Sequence, residues 1–371
     1  MKLHRHGALA CLALTTVLAA SACGSDNTET AAPGGGAASA PAAANCATGT
    51  LNAQGSSAQK NAVAEWIKAY QQACAGSTIN YEGSGSGAGI TAFISGTADF
   101  AGSDSALKDD QQPQADQRCA GNPAIHLPAV IGPIAIVFNL DGVDRLNLSS
   151  ATIAKIFAGK VSKWNAPEIA ADNAGVTLPD TTINPVHRSD ESGTTENFTK
   201  YLAKVAEADW TFPAAKTWPS AITGGTGQKG SDGIATSVKG AAGSIGYVEM
   251  SFAENSDLTT AKVKNGAGEY TELTAAAAGK TIEGAKVTGT GNDLKMSVDY
   301  ATTTAGAYPI VLVTYEIACS AGNSADKLAL IKGFLGYAAS TTGQATLLEL
   351  GYAPLPESVR AKVETAVAAI A

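Results

Sequence analysis

Basic residues are scarce in this sequence, which has 25 Lys and Arg against 33 Asp and Glu and a net charge of −8. A chain with this balance and no basic stripe lacks the electrostatic footprint of a nucleic-acid-binding protein. The deficit does not exclude a small anion as ligand, because a buried anion site is built from local dipoles and one or two charges.

Apolar runs long enough to cross a bilayer are also missing. The N-terminal run, residues 8–20, is too short for a membrane-spanning helix. Because basic residues precede it and small residues follow it, residues 1–22 are predicted to be a secretory signal. Cys23 directly after it favours a lipoprotein signal with lipid on the sulfur, the alternative being a secreted protein with an incidental cysteine. Residues 23–45, rich in Ala, Gly and Pro, predict a flexible tether.

Metal-ligating residues are few and scattered. The sequence has six cysteines and four histidines, contains no Cys-x-x-Cys spacing, and keeps only His126 and His187 beyond the signal. A metal centre is therefore disfavoured, and no cofactor is expected. An even number of cysteines in an exported body predicts two disulfides, with three possible pairings. Since Cys46 and Cys74 bound one strand–helix unit, we favour the pairs Cys46–Cys74 and Cys119–Cys319.

The body of the chain alternates between strand-like and helix-like segments. Residues 77–82 and 130–139 have strand character, whereas residues 57–74 carry apolar side chains at helical spacing. Strand–turn–helix units of this kind predict an α/β fold with parallel sheets. The 371 residues suit two lobes rather than one core.

Three strand-to-helix turns share one chemistry. They are Gly55-Ser56-Ser57, the Gly/Ser segment 83–89, and residues 188–194. Each turn alone is more often a helix cap or a simple turn. Together they offer glycine backbone, hydroxyl donors and helix N-termini, which favour a negative charge. Their convergence predicts a site for a tetrahedral oxyanion.

Asp104 and Arg188 indicate which oxyanion. Arg188 offers a fork of donors, and Asp104 follows the apolar strand segment 100–103. A carboxylate accepts a hydrogen bond from a protonated ligand oxygen, which phosphate has near neutral pH and sulfate lacks. The alternatives are a helix cap for Asp104 and a surface ion pair for Arg188. Receptors for sulfate or molybdate are accordingly less favoured.

A hydrolase acting on phosphate or acyl esters is the alternative from another class of protein. Ser86 or Ser192 would be its nucleophile, which requires a nearby base. Only His126 and His187 remain, and no Gly-x-Ser-x-Gly motif stands in a hydrolase-like order. Residues 224–230 do not complete a P-loop and are interpreted as a simple loop.

The turns resemble those of the phosphate-binding receptors of ATP-driven phosphate importers, especially the actinobacterial lipoprotein form. The resemblance covers nearly all of the chain from Cys46 on. It is carried by residues 83–90, 101–104, 155–164, 186–198, 243–249 and 354–358.

The resemblance assigns roles to individual positions. Asp104 is implied as the acceptor for a ligand proton, with Arg188 as the charged donor and Asp190 as the residue that holds it. The implied phosphate ligands together are Ser57, Ala58, Ser86, Asp104, Arg188, Ser192, Gly193 and Thr194. Glu191 and the first loop, Gly-Ser-Ser-Ala-Gln, depart from the family's commoner residues.

The resemblance also implies an architecture and partners. It predicts a type II-like, two-lobed solute-binding fold, with a mixed sheet flanked by helices in each lobe and the ligand in the cleft. Lobe one would comprise residues 46–130 and 311–371, and lobe two residues 131–310. The expected partners are inorganic phosphate, membrane permease subunits and, through lipid on Cys23, the outer face of the cell membrane. A monomeric receptor without enzymatic activity is expected.

Overall fold

A computed structural model describes residues 46–371. The predicted signal 1–22, the lipid site at Cys23 and the tether 23–45 lie outside the described residues. Within 46–371, no helix combines the length and apolar character needed to cross a membrane.

Strands lie between residues 49 and 319 of the described chain. They are β1 Gly49–Gly55, β2 Ser77–Glu82, β3 Phe100–Ser103, β4 Ala124–Asn139, β5 Asn147–Leu148, β6 Asn184–Arg188, β7 Thr226–Gln228, β8 Ser244–Glu249, β9 Thr259–Thr260, β10 Lys262–Lys264, β11 Tyr270–Thr271, β12 Lys286–Val287, β13 Met296–Ser297 and β14 Val311–Cys319.

Helices alternate with these strands and dominate the C-terminal part. They are α1 Lys60–Ala73, α2 Ser86–Ile94, α3 Gln112–Arg118, α4 Ser150–Phe157, α5 Pro167–Asp172, α6 Gly193–Val205, α7 Gly230–Gly240, α8 Met250–Asn255, α9 Ala275–Glu283, α10 Ala325–Ala339, α11 Thr341–Ala345 and α12 Glu357–Ala368, with a 3₁₀ turn at Leu348–Leu350.

A nine-stranded sheet runs through the molecule in the order β2-β1-β3-β14-β4-β8-β6-β7, with β9 paired to β4. Its outer strands are parallel, as β1 is to β2 and β3, and β6 to β7 and β8. The central strands β4 and β14 are antiparallel to each other and to their outer neighbours. The predicted α/β fold with mixed sheets is confirmed: the strand–helix units pair in parallel, and the antiparallel pairing is confined to the centre.

Strands β4 and β14 explain this mixture, because they carry the chain across the molecule in opposite directions. Residues Ala124 to Pro133 of β4 pair with β14, and from Ile134 onward β4 pairs with β8. One long strand therefore belongs to both parts of the sheet, and β14 makes the return crossing.

Two hydrophobic cores lie on the two parts of the sheet. The first is built around side chains such as Trp66, Phe100 and Phe334. The second is built around side chains such as Trp164 and Tyr247. Most members of the second core come from residues 134–312, and Ala58 also belongs to it. Ala278, Ile282 and Leu294 lie within that range but pack in the first core. The lobe boundaries given above stay a prediction.

Two disulfides join the predicted pairs. Cys46 is bonded to Cys74, and Cys119 to Cys319. Both predicted pairings are confirmed.

Within the described residues, no cluster of three or more His, Cys, Asp or Glu side chains has the arrangement of a metal site.

Candidate functional site

Asp104 lies at the carboxyl end of β3, buried among hydroxyl groups. Thr314 Oγ1 donates to its Oδ1 at 2.8 Å, and Thr194 Oγ1 to its Oδ2 at 3.3 Å. Ser86 Oγ lies 3.5 Å from Oδ2 and accepts from the Asp104 backbone N–H at 3.2 Å. Burial raises the pKa of Asp104, while hydrogen bonds from Ser56 and Thr314 and the charge of Arg188 oppose the rise.

Besides Ser56, in the loop after β1, three hydroxyls around Asp104 come from three different elements. Ser86 is the first residue of α2, and Thr194 is the second residue of α6. Thr314 belongs to β14, at an irregularity where the pairing with β4 shifts register. The unpaired residue at this shift is Ala129 of β4, so the side chains of β14 keep their alternation and Thr314 points to the carboxylate.

The first turn of α6 approaches Asp104 and α2 so closely that only glycine fits. A Cβ on Gly193 would lie 2.5 Å from Ser86 Oγ and 2.6 Å from Asp104 Cβ. Ser192 caps the helix by accepting a hydrogen bond from the Thr195 N–H at 3.2 Å. The buried first turn of this helix, with its positive dipole end, therefore faces the carboxyl end of β3.

Arg188 ends β6 and is buried in a two-point ion pair. Its Nε and Nη2 donate to Asp190 Oδ1 and Oδ2 at 2.7 and 2.5 Å. Burial raises the pKa of Asp190, but the hydrogen bond and charge of Arg188 outweigh it and lower the pKa below its usual value. The Gly230 N–H, at the start of α7, also donates to Asp190 Oδ1 at 3.1 Å. The guanidinium is thus fixed in position.

Ser57 and Ala58, in the loop after β1, make their own contacts. Ser57 Oγ lies 2.9 Å from Ser231 Oγ and accepts from the Ser231 N–H at 3.1 Å. The Ala58 N–H, expected to face a ligand, donates to Ser56 Oγ at 3.1 Å. The Ala58 carbonyl accepts from the Tyr352 hydroxyl at 2.7 Å.

Further hydrogen bonds join the segment 87–105 to the segment 191–197. Asn197 Nδ2 donates to the Asp104 carbonyl at 2.7 Å, and Ser105 Oγ to Glu196 Oε2 at 2.8 Å. The Gly87 N–H donates to the Glu191 carbonyl at 3.0 Å. Glu191 itself is exposed, with its side chain against Gly87.

The structure brings most of the predicted residues into one buried cluster. Ser86, Asp104, Gly193 and Thr194 are in direct contact, and Arg188 acts on Asp104 through its charge. Ser56 belongs to the first of the three predicted turns, whereas the hydroxyls of Thr314 and Ser231 were not predicted as neighbours of the site. The sequence signal for Thr314 is a polar residue within an apolar strand. Ser231 directly follows the loop 224–230, which does not match the P-loop motif.

Comparisons with known proteins agree on one family. Residues 40–342 match the family model of the PBP superfamily domain. The chain is 43% identical to Phosphate-binding protein PstS 3 of Mycobacterium tuberculosis over 377 aligned positions, covering 100% of both chains. It is 40% identical to Phosphate-binding protein PstS 2 of the same organism over 376 positions, again covering 100% of both.

A solved structure shows the same fold. It is a high-affinity periplasmic phosphate-binding protein, PfluDING, bound with phosphate at pH 8.5. The likeness has a TM-score of 0.71 at 24% identity and covers 85% of this chain and 93% of that one. The fold is therefore the two-lobed fold of periplasmic binding proteins.

Proposed function

Since this chain belongs to the PstS family of phosphate-binding proteins, we propose that it is a receptor for inorganic phosphate. The observation that carries the proposal is a buried carboxylate, Asp104, surrounded by hydroxyl donors at the start of two helices and by a fixed guanidinium. This set combines many donors with one acceptor, as a protonated oxyanion requires.

Donors and acceptor have distinct proposed roles. Arg188 supplies positive charge, and Asp190 holds its guanidinium in place. Asp104 accepts the hydrogen bond of a protonated phosphate oxygen. The remaining proposed ligands are Ser57, Ala58, Ser86, Ser192, Gly193 and Thr194, which would donate through hydroxyl or backbone N–H groups. To do so, Ala58 would have to exchange its N–H bond to Ser56 Oγ for one to the ligand.

Sulfate and molybdate are the alternative ligands that Asp104 disfavours. A fully ionised anion offers no proton, so its oxygen would face a carboxylate oxygen without a hydrogen bond between them. A site built to pair with a ligand hydroxyl rejects the analogue that lacks it by ~10⁴-fold in favourable cases. The buried position of Asp104, 3% exposed, denies it water as a substitute partner.

The histidine contacts favour a binding protein over a hydrolase. His126 accepts from the Leu107 N–H at 2.9 Å and pairs with Asp293 at 2.7 Å. His187 stacks on Trp218 and bonds the Arg188 carbonyl at 3.0 Å. These ring nitrogens therefore hydrogen-bond groups other than the hydroxyls of Ser86 and Ser192, the serines that a hydrolase would use.

Delivery to a membrane importer completes the proposal. We infer that the exported chain is held at the outer face of the cell membrane by lipid on Cys23. From there, as a monomer, it would hand phosphate to the permease subunits of an ATP-driven importer. The family membership supports this role, since its relatives are named as phosphate-binding proteins of the PstS type.

Uptake measurements test both parts of the proposal. A host strain that lacks this chain should take up radiolabelled phosphate slowly at low external phosphate, and the intact gene should restore uptake. A copy with Cys23→Ala should restore less, because the receptor would be lost from the surface. Normal uptake without the chain would contradict the transport role, and equilibrium dialysis of the purified protein checks binding separately.

A further inference from the structure

A second buried carboxyl group, Glu316, lies close behind the proposed site. It is 2% exposed and follows Thr314 by two residues on β14. Alternate residues of a strand share a face, and Thr314 donates to Asp104 from that face. In the pairing of β14 with β3, Glu316 lies opposite Gly102, and Gly102 precedes Asp104 by two residues.

The space over Gly102 is filled by polar groups. A Cβ on Gly102 would lie 2.0 Å from Gln59 Nε2 and 2.4 Å from the Tyr81 hydroxyl oxygen. Directly opposed residues of neighbouring strands point to the same face, so Glu316 shares this space. Glu316, Gln59 and Tyr81 therefore form one cluster beneath the loop that follows β1.

Hydrogen bonds connect this cluster to the proposed site. Gln59 Nε2 donates to the Tyr81 hydroxyl at 2.9 Å, and the Tyr81 hydroxyl donates to the Ser56 carbonyl at 2.8 Å. The Ser56 side chain in turn hydrogen-bonds Asp104. The cluster thus supports Ser56 and, through it, the loop that carries Ser57 and Ala58.

The cluster has an excess of acceptors. Among the described residues, Glu316 Oε2 and Gln59 Oε1 have no hydrogen-bond partner. Burial raises the pKa of Glu316 to about 8, with the charge of Asp104 adding to the rise and a hydrogen bond from Gln59 opposing it. Burial also holds the pKa of Tyr81 well above its usual value, so the phenol is a neutral donor. A proton on Glu316 removes a buried charge and supplies a donor.

We propose that Glu316 carries a proton when the site holds its anion, and that loss of this proton weakens anion binding. The inference rests on the proposed function and makes Glu316 a positioning residue, because it acts through Gln59, Ser56 and Asp104. Ionised Glu316 would place a second negative charge beside Asp104 and a bound anion. Binding and protonation are therefore coupled, and the protein takes up protons when it binds phosphate near the pKa of Glu316.

The sign of the coupling fixes the pH dependence. At pH values below its pKa of about 8, Glu316 stays protonated and does not affect anion binding. As the pH rises through that value, the carboxylate forms and affinity falls. Glu316→Gln keeps the size and neutrality of the acid and cannot ionise, so this contribution disappears in the variant.

Calorimetric titration with phosphate, from about pH 6 to about pH 9, tests the proposal on the whole protein. The ratio of Glu316→Gln affinity to wild-type affinity should rise about tenfold over this range. The ionisation of phosphate itself cancels in the ratio. Glu364→Gln, the same change on the surface of α12, should show a constant ratio. A constant ratio for Glu316→Gln would overturn the proposal.

Carbon-13 NMR of the ligand-free wild type gives a second measurement that needs no variant. The side-chain carboxyl resonance of residue 316, assigned through its backbone, should titrate near pH 8. A carboxylate already ionised at about pH 6 would overturn the proposal. If the wild type bound no phosphate, the proposed function would fail, while this titration would still decide the protonation of Glu316.

Discussion

Asp104 is a single acceptor in a cluster of donors, and it makes the proposed site selective for a protonated ligand. Asp104→Asn keeps the shape of the side chain but replaces one carboxylate oxygen with an NH₂ group. Phosphate affinity should fall only modestly, because the amide oxygen still accepts a hydrogen bond. Sulfate should bind better than it does to the wild type, because the amide N–H donates to an anion.

Calorimetry with both anions measures the change in selectivity. Asp144→Asn is the matched control, since the Asp144 side chain is 95% exposed and pairs with the similarly exposed Arg145. Unchanged selectivity in Asp104→Asn would argue against the acceptor role.

Arg188 is the charged donor of the proposed site. Arg188→Ala should weaken phosphate binding by more than ~10-fold, since a hydrogen bond to a charged group contributes roughly 1.5–3 kcal/mol. Arg145→Ala serves as the control, because its side chain is 88% exposed. Equal affinities of the two variants would place Arg188 outside the site, provided circular dichroism shows that both are folded.

The local turns made Ser86, Asp104, Arg188 and Ser192 predictable from the sequence. Each stands beside a strand end or a helix start, and that local geometry is visible in the chain. Thr314 and Ser231 could not be found in this way, because each contacts a residue more than 170 positions away: Thr314 reaches Asp104 over 210 residues and Ser231 reaches Ser57 over 174. Such contacts depend on how the strands are ordered in the sheet.

Helix α6 depends on Gly193 to reach the carboxyl end of β3. In Gly193→Ala, the new methyl group would displace α6 from Asp104 and Ser86, because the facing atoms lie 2.5 and 2.6 Å from its position. We expect phosphate affinity to fall by about tenfold or more, as in the loss of one charged hydrogen bond. Equilibrium titration with phosphate measures this.

Gly279→Ala in α9 is the matched control for this substitution. A Cβ there would meet no atom within 4 Å, and Gly279 lies inside a helix. Binding should be unchanged, while the free energy of unfolding should rise by up to ~1 kcal/mol. Equal, wild-type-like affinity in both variants would show that α6 does not need its close approach.

Two elements show why boundaries were harder to predict than existence. Helix α2 begins at Ser86, inside the Gly/Ser segment 83–89 that was interpreted as a turn, because glycine and serine at a helix start resemble a loop. Gly85 adopts the positive φ of 104° just before it. Strand β4 begins at Ala124 rather than at residue 130, because His126 and Pro128 break its apolar pattern. Both residues are buried, and Pro128 adjoins the register shift between β4 and β14, which only the paired strands reveal.

The two disulfides constrain the whole molecule to different extents. Cys119–Cys319 closes a loop of sequence separation 200 that contains most of the second core, whereas Cys46–Cys74 closes one of separation 28. In the chain-entropy account, the longer loop stabilises the fold by about 1.7 kcal/mol more. The pair of alanine substitutions at 119 and 319 should therefore lower the free energy of unfolding more than the pair at 46 and 74. A denaturant titration in which the shorter loop cost as much would contradict this ranking.

The arrangement of the two cores followed from the resemblance more than from the pattern of strands. Alternating strands and helices predicted an α/β fold but not that β4 and β14 cross between the cores in opposite directions. Antiparallel crossing strands look the same in sequence as parallel ones when both faces are buried. The family motifs carried the missing information, because they belong to a known two-lobed fold.

Recognition of a protonated anion by Asp104 is tested most directly by a calorimetric titration of the wild-type protein with phosphate and then with sulfate, at neutral pH and low salt. Asp104, buried and surrounded by donors, predicts saturable phosphate binding and no measurable heat with sulfate. Equal binding of both anions would contradict recognition of a ligand proton, and binding of neither would contradict the assignment of phosphate as the ligand.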